Sequence, residues 1–247
     1  MQITGNTILI TGGGSGIGRG LAEALHAKGN KVIITGRDTR KLNAVAQDIP
    51  GIEIRALDVD DAAAIKSFAG EVLADFPALN VLINNAGIMR GETLTSGETE
   101  TAEATITTNL LGPIRLTAAL LPHLMSRPKA AVLMVSSGLA FVPRAFAPTY
   151  CATKAAIHSY AQSLRVQLRG SSVEVIELVP PYVQTELMGP AQAVDPNAMP
   201  LGDYISETVA LLENEPNAEE ILVQRVFFQR WAEREGRYEA AFKRVNG

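Results

Sequence analysis

Tyr150 and Lys154 are the two residues whose types and spacing point most directly to chemistry. They stand four apart in a segment of helical period, so one helical turn, about 6 Å of axial rise, brings both side chains to one face. A tyrosine, with a reference pKa of about 10, is a weak base at neutral pH, but a lysine cation beside it favours the phenolate. Such a group can take a proton from an alcohol or give one to a carbonyl. The pair therefore predicts proton transfer at a substrate oxygen, with Tyr150 as the acid/base.

A glycine-rich segment, TGGGSGIG at residues 11–18, follows an apolar run and opens a segment of helical period. Residues without Cβ let backbone N–H groups and a helix N-terminus approach a pyrophosphate, so this segment predicts a dinucleotide site. The stricter pattern G-x-G-x-x-G is absent, because Ile17 and Arg19 stand where its last glycine is needed. A P-loop fails as well, since Arg19 and Gly20 replace its Lys and Ser/Thr. The glycines alone are also compatible with a turn that only packs a helix on a strand.

Short β-branched runs alternate with longer Ala/Leu-rich segments, and these elements must position the polar residues. Strands are predicted at 7–11, 31–35, 52–57, 81–84, 131–136, 173–179 and 221–224. Helices are predicted at 17–28, 39–48, 61–75, 98–125, 149–168 and 203–213. Nearly wholly apolar strands, each followed by a helix, predict an α/β protein with a Rossmann-type, doubly wound, seven-stranded parallel sheet and helices on both faces. In such sheets ligands bind beyond the carboxyl ends of the strands.

Length and composition favour one globular domain over 1–247, because the chain is 47% hydrophobic and 19% charged and has no repeat or linker-like stretch. A net charge of −4 without a basic block argues against a nucleic-acid partner. The start has no signal-peptide pattern and no apolar run is long enough to span a membrane, so we expect a cytoplasmic protein without membrane contact. One cysteine and three scattered histidines favour neither a disulfide nor a metal site.

The glycine segment contains the pattern T-G-x-x-x-G-x-G, which resembles the classical short-chain dehydrogenase/reductase (SDR) family. Two further motifs of that family have counterparts here, Y-x-x-x-K at Tyr150 and Lys154 and N-N-A-G at 84–87. Ser137, thirteen residues before Tyr150, and Asn109, in the preceding helical segment, match the family's other catalytic positions. The segments PPYVQTEL at 180–187 and EEILVQRV at 219–226 resemble the bacterial DltE-like branch of the family, a resemblance that implies no substrate.

By this resemblance the catalytic residues are Asn109, Ser137, Tyr150 and Lys154. Tyr150 is the acid/base, and Lys154 lowers its pKa and binds the nicotinamide ribose. Ser137 hydrogen-bonds the same substrate oxygen, and Asn109 holds a water that links Lys154 to solvent. Ser136 is the competing serine, for which a buried strand hydroxyl is the alternative interpretation.

The resemblance also implies a set of cofactor-binding residues that mostly follow the strands: Gly12, Gly14, Ser15, Gly16, Ile17, Gly18, Arg37, Asp58, Val59, Asn85, Ala86, Gly87, Tyr150, Lys154, Pro180, Val183 and Thr185. Asp58 would accept a hydrogen bond from the adenine amino group, unless it caps a helix instead. Pro181 departs from the family, which usually has glycine there. A proline removes an N–H and fixes φ, so we expect a different local geometry.

NADP is preferred over NAD on the residues that follow the second strand. Gly36 stands where an acid is usual, and Arg37 comes next. An acid hydrogen-bonds the ribose 2′-hydroxyl of NAD, whereas an arginine accommodates the 2′-phosphate of NADP. Asp38 weakens this preference, although a helix N-cap role would explain it. We therefore expect NADP, with NAD as the alternative.

The substrate pocket is expected between segments 89–96 and 139–147 and a lid at about 182–201. The apolar members of these segments suggest a largely apolar carbonyl or alcohol substrate: Leu139, Phe141, Phe146, Tyr182, Met188 and Met199. Surface packing or a subunit contact explains them equally well. Arg144 could receive an acidic group, but a solvated loop arginine is the simpler interpretation. The aromatic tail at 227–242 could dock on the domain or on a neighbour, and the resemblance implies a homodimer or homotetramer.

Two other functions remain open on the sequence. A non-catalytic NADP-binding regulatory or sensor protein would have the same fold, but such proteins usually lack the Ser/Tyr/Lys set. Epimerases and dehydratases of the extended branch are typically longer and have another glycine pattern. The expected function is therefore an oxidoreductase that transfers a hydride between NADP(H) or NAD(H) and a carbonyl or secondary alcohol.

Overall fold

The apolar runs of the chain form seven strands in a computed structural model that describes all 247 residues. The strands are β1 (Thr7–Thr11), β2 (Lys31–Gly36), β3 (Glu53–Ala56), β4 (Val81–Asn84), β5 (Ala130–Val135), β6 (Val173–Val179) and β7 (Glu220–Leu222). All pair in parallel in the order β3-β2-β1-β4-β5-β6-β7. The strand order reverses between β1 and β4, which is where an open α/β sheet forms a ligand crevice. The predicted seven-stranded, doubly wound parallel sheet is confirmed.

Ten helices connect or follow the strands: α1 (Gly16–Ala27), α2 (Thr39–Asp48), α3 (Ala62–Asp75), α4 (Glu100–Ile106), α5 (Gly112–Met125), α6 (Pro148–Gln167), α7 (Pro190–Ala193), α8 (Leu201–Asn214), α9 (Phe227–Arg230) and α10 (Tyr238–Asn246). The side chains of Asp38 and Asp61 accept backbone N–H bonds at the starts of α2 and α3. These caps satisfy N–H groups that a helix start leaves unpaired. No helix combines the length and the apolarity needed to cross a membrane.

Two apolar cores cover the two faces of the sheet. One contains 27 buried residues and joins the sheet to α1, α2 and α8, with Leu21, Leu42 and Tyr204 as members. The other contains 23 buried residues and joins the opposite face to α3, α5 and α6. Strands buried on both faces need apolar side chains at every position, which explains the continuous rather than alternating pattern of the runs. The sheet is therefore a rigid base whose carboxyl edge carries the polar segments.

The helix predicted at 98–125 is interrupted by one π-helical turn, Thr107–Leu111, between α4 and α5. The turn contains Asn109, which is buried. A π turn inserts an extra residue into the helix and shifts the side chains that follow, and such turns are frequent at functional sites. Hydrophobic period alone does not reveal this insertion, because α4, the turn and α5 continue one another.

The C-terminal tail folds back on the domain. Phe228 and Tyr238 pack against a small cluster formed by Val142, Ala232 and Ala241. Of the two alternatives left open by the sequence, docking on the domain is thus seen for Phe228 and Tyr238, whereas Phe227 and Phe242 are exposed. This docking brings α9 and α10 to the carboxyl edge of the sheet, beside the segment that follows β5.

Candidate active site

Ser137, Tyr150 and Lys154 meet where β5 ends and α6 begins, and all three line one cleft. All three are buried, with 7%, 6% and 4% of their surface exposed. The Lys154 ammonium donates a hydrogen bond of 2.8 Å to the carbonyl oxygen of Val135 and lies 5.6 Å from the centre of the Tyr150 ring. The one-turn spacing on α6 therefore places the two side chains together, as predicted.

Burial dominates the charge states of this pair. Desolvation raises the pKa of Tyr150 to about 12, and the nearby Ser137 hydroxyl opposes the rise. Desolvation lowers the pKa of Lys154 to about 8, and the field of Glu177 opposes that fall. Lys154 is not among the groups that shift the pKa of Tyr150 in the protein alone, so the expectation that this lysine lowers it stays a prediction. At neutral pH the tyrosine is a phenol and the lysine is mostly an ammonium.

Asn109 lies behind the catalytic pair rather than in the cleft wall. Its amide nitrogen donates to the carbonyl oxygen of Ile88 at 2.9 Å, and its Oδ1 accepts from the Ile88 N–H at 2.8 Å. A Cβ at Gly87 would lie 3.3 Å from Oδ1 of Asn109 and 3.8 Å from Nζ of Lys154. The predicted neighbourhood of Asn109 and Lys154 is therefore present, with the glycine between them. The π turn holds Asn109 at this position.

The two adjacent serines have different environments. The Ser136 hydroxyl is 1% exposed and points along the sheet toward the carbonyl oxygen of Leu178, 3.4 Å away. The Ser137 hydroxyl accepts from the Leu139 N–H at 3.1 Å and faces Tyr150. The position of Ser137 thus fits a substrate contact better than that of Ser136, whose hydroxyl has a partner in the sheet.

The glycine segment turns sharply between β1 and α1. Gly12 and Gly16 have φ values of +67° and +52°, which side chains rarely tolerate. A Cβ at Gly18 would collide with the carbonyl oxygen of Gly12, so this glycine lets the helix pack on the turn. Ser15, at the N-cap of α1, makes no side-chain capping bond, so the first N–H groups of the helix have no side-chain acceptor. This is the donor set that a pyrophosphate requires.

Hydrogen bonds from the segment that follows β4 hold the glycine turn in place. The Thr11 hydroxyl accepts from the N–H groups of Asn85 and Ala86, both at 3.0 Å. The Asn85 side chain donates to the carbonyl oxygens of Thr11 at 2.9 Å and Gly12 at 3.3 Å. Thr11, the first residue of the glycine pattern, thus ties two strand ends together across the crevice and holds the turn in one geometry.

One cleft of about 770 Å³ runs from the glycine turn to Tyr150. Most of the predicted site residues line it: Gly12, Ser15, Gly16, Ile17, Arg37, Val59, Asn85, Ala86, Gly87, Ser137, Tyr150, Lys154, Pro180, Val183 and Thr185. Four do not line it, namely Gly14, Gly18, Asp58 and Asn109. Gly18 and Asn109 support wall residues, and Gly14 packs against α2, where its Cβ would lie 3.1 Å from that of Lys41. The cleft therefore fits an extended dinucleotide with one end at the catalytic residues.

The far end of the cleft contains Arg37 and Lys41. Arg37 pairs with Asp60 at 3.1 Å, and Lys41 lies 3.6 Å from Glu186. Asp58 opens toward a separate small depression, and its Oδ1 accepts from the Asp60 N–H at 3.1 Å. Asp58 therefore closes a turn and does not cap α3. Lys41 was not among the site residues predicted from the sequence, because its position on α2 belongs to no motif.

The segment that follows β6 begins with Pro180 and Pro181 and leads into the lid. The carbonyl oxygen of Pro180 accepts from the Gly138 N–H at 2.9 Å, which ties this segment to the catalytic edge. Thr185 approaches the glycine turn, since a Cβ at Gly16 would lie 3.4 Å from it. Inside the lid the buried Gln192 donates to the carbonyl oxygen of Val183 at 2.8 Å. Pro181, Val183 and Thr185 thus all line the cleft, and their contacts with a cofactor stay predictions.

Three of the six predicted apolar substrate residues line the cleft: Leu139, Tyr182 and Met188. The other three do not. Phe141 packs edge-on against His158, Phe146 is 49% exposed, and Met199 is buried in the core. Sequence reasoning also missed a part of the wall that the C-terminal tail supplies: Arg225, Phe228, Gln229, Arg244 and Val245. No spacing rule connects these residues to the catalytic ones, because the contact depends on the docking of α9 and α10.

A charged cluster lies under α6, behind the catalytic residues. Glu177 is fully buried in β6, and its Oε2 lies 2.7 Å from Nδ1 of His158. Glu220 stands beside it on β7 and pairs with Arg230 through two contacts of 2.6 and 2.8 Å. His158, Glu177 and Glu220 are metal-ligand types whose ligand atoms lie within 4.8 Å of one another, but Arg230 already neutralises Glu220. The available sequence signal was Glu177, the second of two glutamates in the apolar run VEVIELV.

A family model described as short chain dehydrogenase matches residues 6–195. The protein named "Uncharacterized oxidoreductase DltE" from Bacillus subtilis (strain 168) is 47% identical over 189 residues, which make up 76% of this chain and 75% of that protein. The match to the family model extends over the strands and helices that carry the glycine turn and the candidate catalytic residues.

Two solved structures illustrate the structural similarity. A short-chain dehydrogenase from Burkholderia cenocepacia J2315 in complex with NADP has a TM-score of 0.82 at 25% identity and covers 99% of both chains. A 3-ketoacyl-(acyl-carrier-protein) reductase from Brucella melitensis complexed with NADH has a TM-score of 0.80 at 25% identity and covers 91% of this chain and 100% of that chain. Both nicotinamide cofactors thus occur among similar structures.

Proposed function

The chain belongs to the short-chain dehydrogenase/reductase family of NAD(P)-dependent oxidoreductases, and we propose from this premise that it reduces a carbonyl compound with NADPH, with Tyr150 as the proton donor. The observation that carries the proposal is the single cleft that joins the glycine turn to Ser137, Tyr150 and Lys154. A nucleotide-sensing protein needs only the first half of that cleft. A reductase needs both halves in one space.

The proton chemistry follows from the charge states of the buried pair. Because burial keeps Tyr150 a phenol at neutral pH, its hydroxyl is ready to give a proton to a carbonyl oxygen. Ser137 stabilises the negative charge that develops on the same oxygen. The Lys154 ammonium stabilises the phenolate that remains after the transfer. The bound nicotinamide cofactor supplies the hydride in this direction and accepts it in the reverse one.

The residues at the far end of the cleft support NADP as the preferred cofactor. Arg37 and Lys41 provide two cations where the 2′-phosphate of a dinucleotide would lie, and Gly36 stands at the position where an acid would bind the 2′-hydroxyl of NAD. Asp38 is occupied as the N-cap of α2, where it accepts from the Arg40 and Lys41 N–H groups. Asp60 now pairs with Arg37 and Glu186 with Lys41. Both cations would leave these carboxylates to bind the phosphate.

The domain organisation, the oligomeric state and the location of the protein stay predictions. We infer that residues 1–247 form one dinucleotide-binding domain with the lid at 182–201 included. A homodimer or homotetramer and a cytoplasmic location are expected from the family resemblance and the sequence.

The central experiment compares Tyr150→Phe with the wild type in NADPH-dependent reduction of a panel of aldehydes and ketones. We expect kcat to fall by roughly 100-fold or more in the variant, because the proton donor is lost. The dissociation constant of NADPH, measured by fluorescence, should change little. Tyr160→Phe is the matched control, since Tyr160 lies on the same helix and packs against the core.

An unchanged kcat in Tyr150→Phe would contradict the acid/base assignment. Tight NADPH binding by a wild type that transfers no hydride to any carbonyl would favour the non-catalytic sensor instead. A strong preference for NADH in kcat/KM would contradict the cofactor assignment.

A further inference from the structure

The substrate end of the cleft has three arginines from three separate elements. Arg144 follows β5, Arg225 follows β7, and Arg244 lies on α10. None of them has a carboxylate oxygen within 4.0 Å of its guanidinium nitrogens. At the far end of the same cleft, by contrast, Arg37 has two such carboxylates, Asp58 and Asp60, and Lys41 has Glu186. In a chain with a net charge of −4, this end of the cleft carries unpaired positive charge.

The contacts that hold these arginines leave N–H groups free. The Arg244 guanidinium lies 4.4 Å from the centre of the Phe228 ring, and that of Arg144 lies 5.5 Å from the centre of the Phe146 ring. Such contacts use the face of the guanidinium and leave the N–H edge available. One terminal nitrogen of Arg225 donates to the carbonyl oxygen of Asn197 at 2.5 Å, and no other hydrogen bond engages that side chain.

Asp195 is the acid whose charge is coupled to Arg144. The hydrogen bond from the Asn197 backbone is the main cause of the lowered pKa of Asp195, and the field of Arg144 is the smallest one. The Asp195 carboxylate accepts from the Tyr182 hydroxyl at 2.9 Å and from the Asn197 N–H at 2.8 Å. Asp195 therefore holds the lid together and leaves the Arg144 guanidinium without a direct partner.

Gln229 is an independent indication of a ligand at this end. It is only 5% exposed, it lines the cleft, and its carboxamide has no hydrogen-bond partner within the protein. It lies directly against Gly138, the residue after Ser137, where any Cβ would collide with it. The carboxamide reaches the open cleft rather than being sealed inside the protein, so water or a ligand in the cleft supplies its hydrogen-bond partners. Gln229 thus marks a polar contact close to the reacting carbon.

Resting on the oxidoreductase function proposed above, we propose that the substrate carries an oxyanion, a carboxylate or a phosphate, which Arg144, Arg225 and Arg244 bind. Gln229 hydrogen-bonds a polar group next to the carbonyl that Tyr150 and Ser137 hold. Bidentate N–H pairs of arginine match the oxygens of both anions. The substrate is then an aldehyde or ketone with an anionic group, rather than the largely apolar compound that the sequence suggested.

The apolar part of the same wall accommodates the body of such a substrate. Met89, Leu139, Met188 and Phe228 line the same cleft as the catalytic residues and the arginines. An apolar wall with a few polar groups at defined points is typical of small-molecule sites. A short aliphatic chain between the carbonyl and the anion therefore fits the distribution of residues.

The kinetic test uses matched pairs with NADPH: butanal against 4-oxobutanoate, and glyceraldehyde against glyceraldehyde 3-phosphate. We expect kcat/KM to be roughly 10- to 100-fold higher for the anionic member of at least one pair, which also separates carboxylate from phosphate. The preference should shrink with added salt, because partly exposed charges are screened. Arg144→Gln and Arg244→Gln should reduce the preference, whereas Arg169→Gln, at an exposed position outside the cleft, should keep it.

A binding test that needs no turnover uses the enzyme saturated with NADP. Hexanoate and hexyl phosphate should bind more tightly than 1-hexanol by calorimetry, and the difference should disappear in the double variant Arg144→Gln/Arg244→Gln. Gln229→Leu should lower kcat/KM for the preferred aldehyde and leave the dissociation constant of NADPH unchanged. A structural defect would instead lower the melting temperature and weaken NADPH binding.

The outcomes separate the two proposals. Equal kcat/KM for charged and neutral members, or equal binding of hexanoate, hexyl phosphate and hexanol, overturns the anion site and leaves the reductase. Binding of hexanoate or hexyl phosphate that depends on the arginines, by a protein that transfers no hydride to any compound, supports the anion site and contradicts the reductase.

Discussion

The Nδ1 atom of His158 lies 2.7 Å from Oε2 of Glu177, a glutamate with no exposed surface. His158 is one helical turn from Lys154 on α6, so Glu177 lies under the helix face that carries the catalytic pair. Its second oxygen, Oε1, has no hydrogen-bond partner. The buried carboxylate therefore stabilises the Lys154 ammonium through its charge, while Arg230 neutralises its neighbour Glu220.

Glu177→Gln should shift the pH dependence of the enzyme, because it keeps the shape and removes the charge. Burial lowers the pKa of Lys154 to about 8 even though Glu177 opposes the fall, so without this charge the pKa should fall further. Lys154 would lose its proton at lower pH. The decline of kcat/KM and of NADPH affinity on the alkaline side of the profile should therefore begin at lower pH. The measurement is a profile of both quantities from roughly pH 6 to 10. Glu174→Gln, an exposed position on the same strand, is the control. Superimposable profiles for Glu177→Gln and wild type would contradict the electrostatic role.

Lys154→Met should change how stability depends on pH. The folded pKa of Lys154 is about 8 and its ordinary value is 10.5, so at pH 7 the folded protein carries the cost of a buried cation. Between about pH 8 and 10.5 the unfolded chain holds this proton and the folded one does not, so stability rises with pH. The free energy of unfolding of wild type minus variant should therefore increase by roughly 3 kcal/mol from pH 7 to 10.5. Urea unfolding of both proteins at the two pH values measures it.

The control for this measurement is Lys129→Met, which removes an exposed lysine. Its difference from the wild type should stay constant over the same range. A constant difference for Lys154→Met as well would show that its pKa is not lowered in the folded protein.

Gly18→Ala should weaken the cofactor site. The added methyl group would press on the carbonyl oxygen of Gly12 and on the Asn85 amide, two groups that hold the glycine turn. We expect a loss of roughly 1–3 kcal/mol in stability and weaker NADPH binding. Gly70→Ala, in an exposed position of α3 with nothing within 4 Å, should instead stabilise the protein by roughly 0.5–1 kcal/mol. NADPH titration and thermal unfolding of both variants decide the question, and a Gly18→Ala protein that binds NADPH normally would count against the tight turn.

Ser137→Ala and Ser136→Ala should separate the two serines. Loss of the Ser137 hydroxyl removes a donor to the substrate oxygen, so kcat should fall roughly 100- to 1,000-fold with little change in NADPH affinity. Ser136 also lines the cleft, but its hydroxyl is directed to the Leu178 carbonyl at 3.4 Å, so kcat of Ser136→Ala should stay close to that of the wild type. Steady-state kinetics of the pair check this, and the opposite ranking would reassign the catalytic serine.

Local patterns in the chain were sufficient to predict the sheet and its motifs. β1, β4 and β6 have the predicted bounds, and the other strands differ by one or two residues. These strands are recognisable because burial on both faces demands uninterrupted apolar runs. The helix through Asn109 was predicted as continuous, since a π turn leaves the hydrophobic period on either side intact.

The sequence by itself determined the order of the elements, the glycine turn and the spacing of Ser137, Tyr150 and Lys154, because each depends on neighbours within one turn or one strand end. Only the tertiary structure decided which charges surround them. Glu177 reaches the underside of α6 through strand pairing, and Gln229 reaches Gly138, the residue after Ser137, through docking of the C-terminal helices. Such contacts join segments far apart in the chain, and the free energy that selects them comes from burial of whole faces rather than from any local pattern.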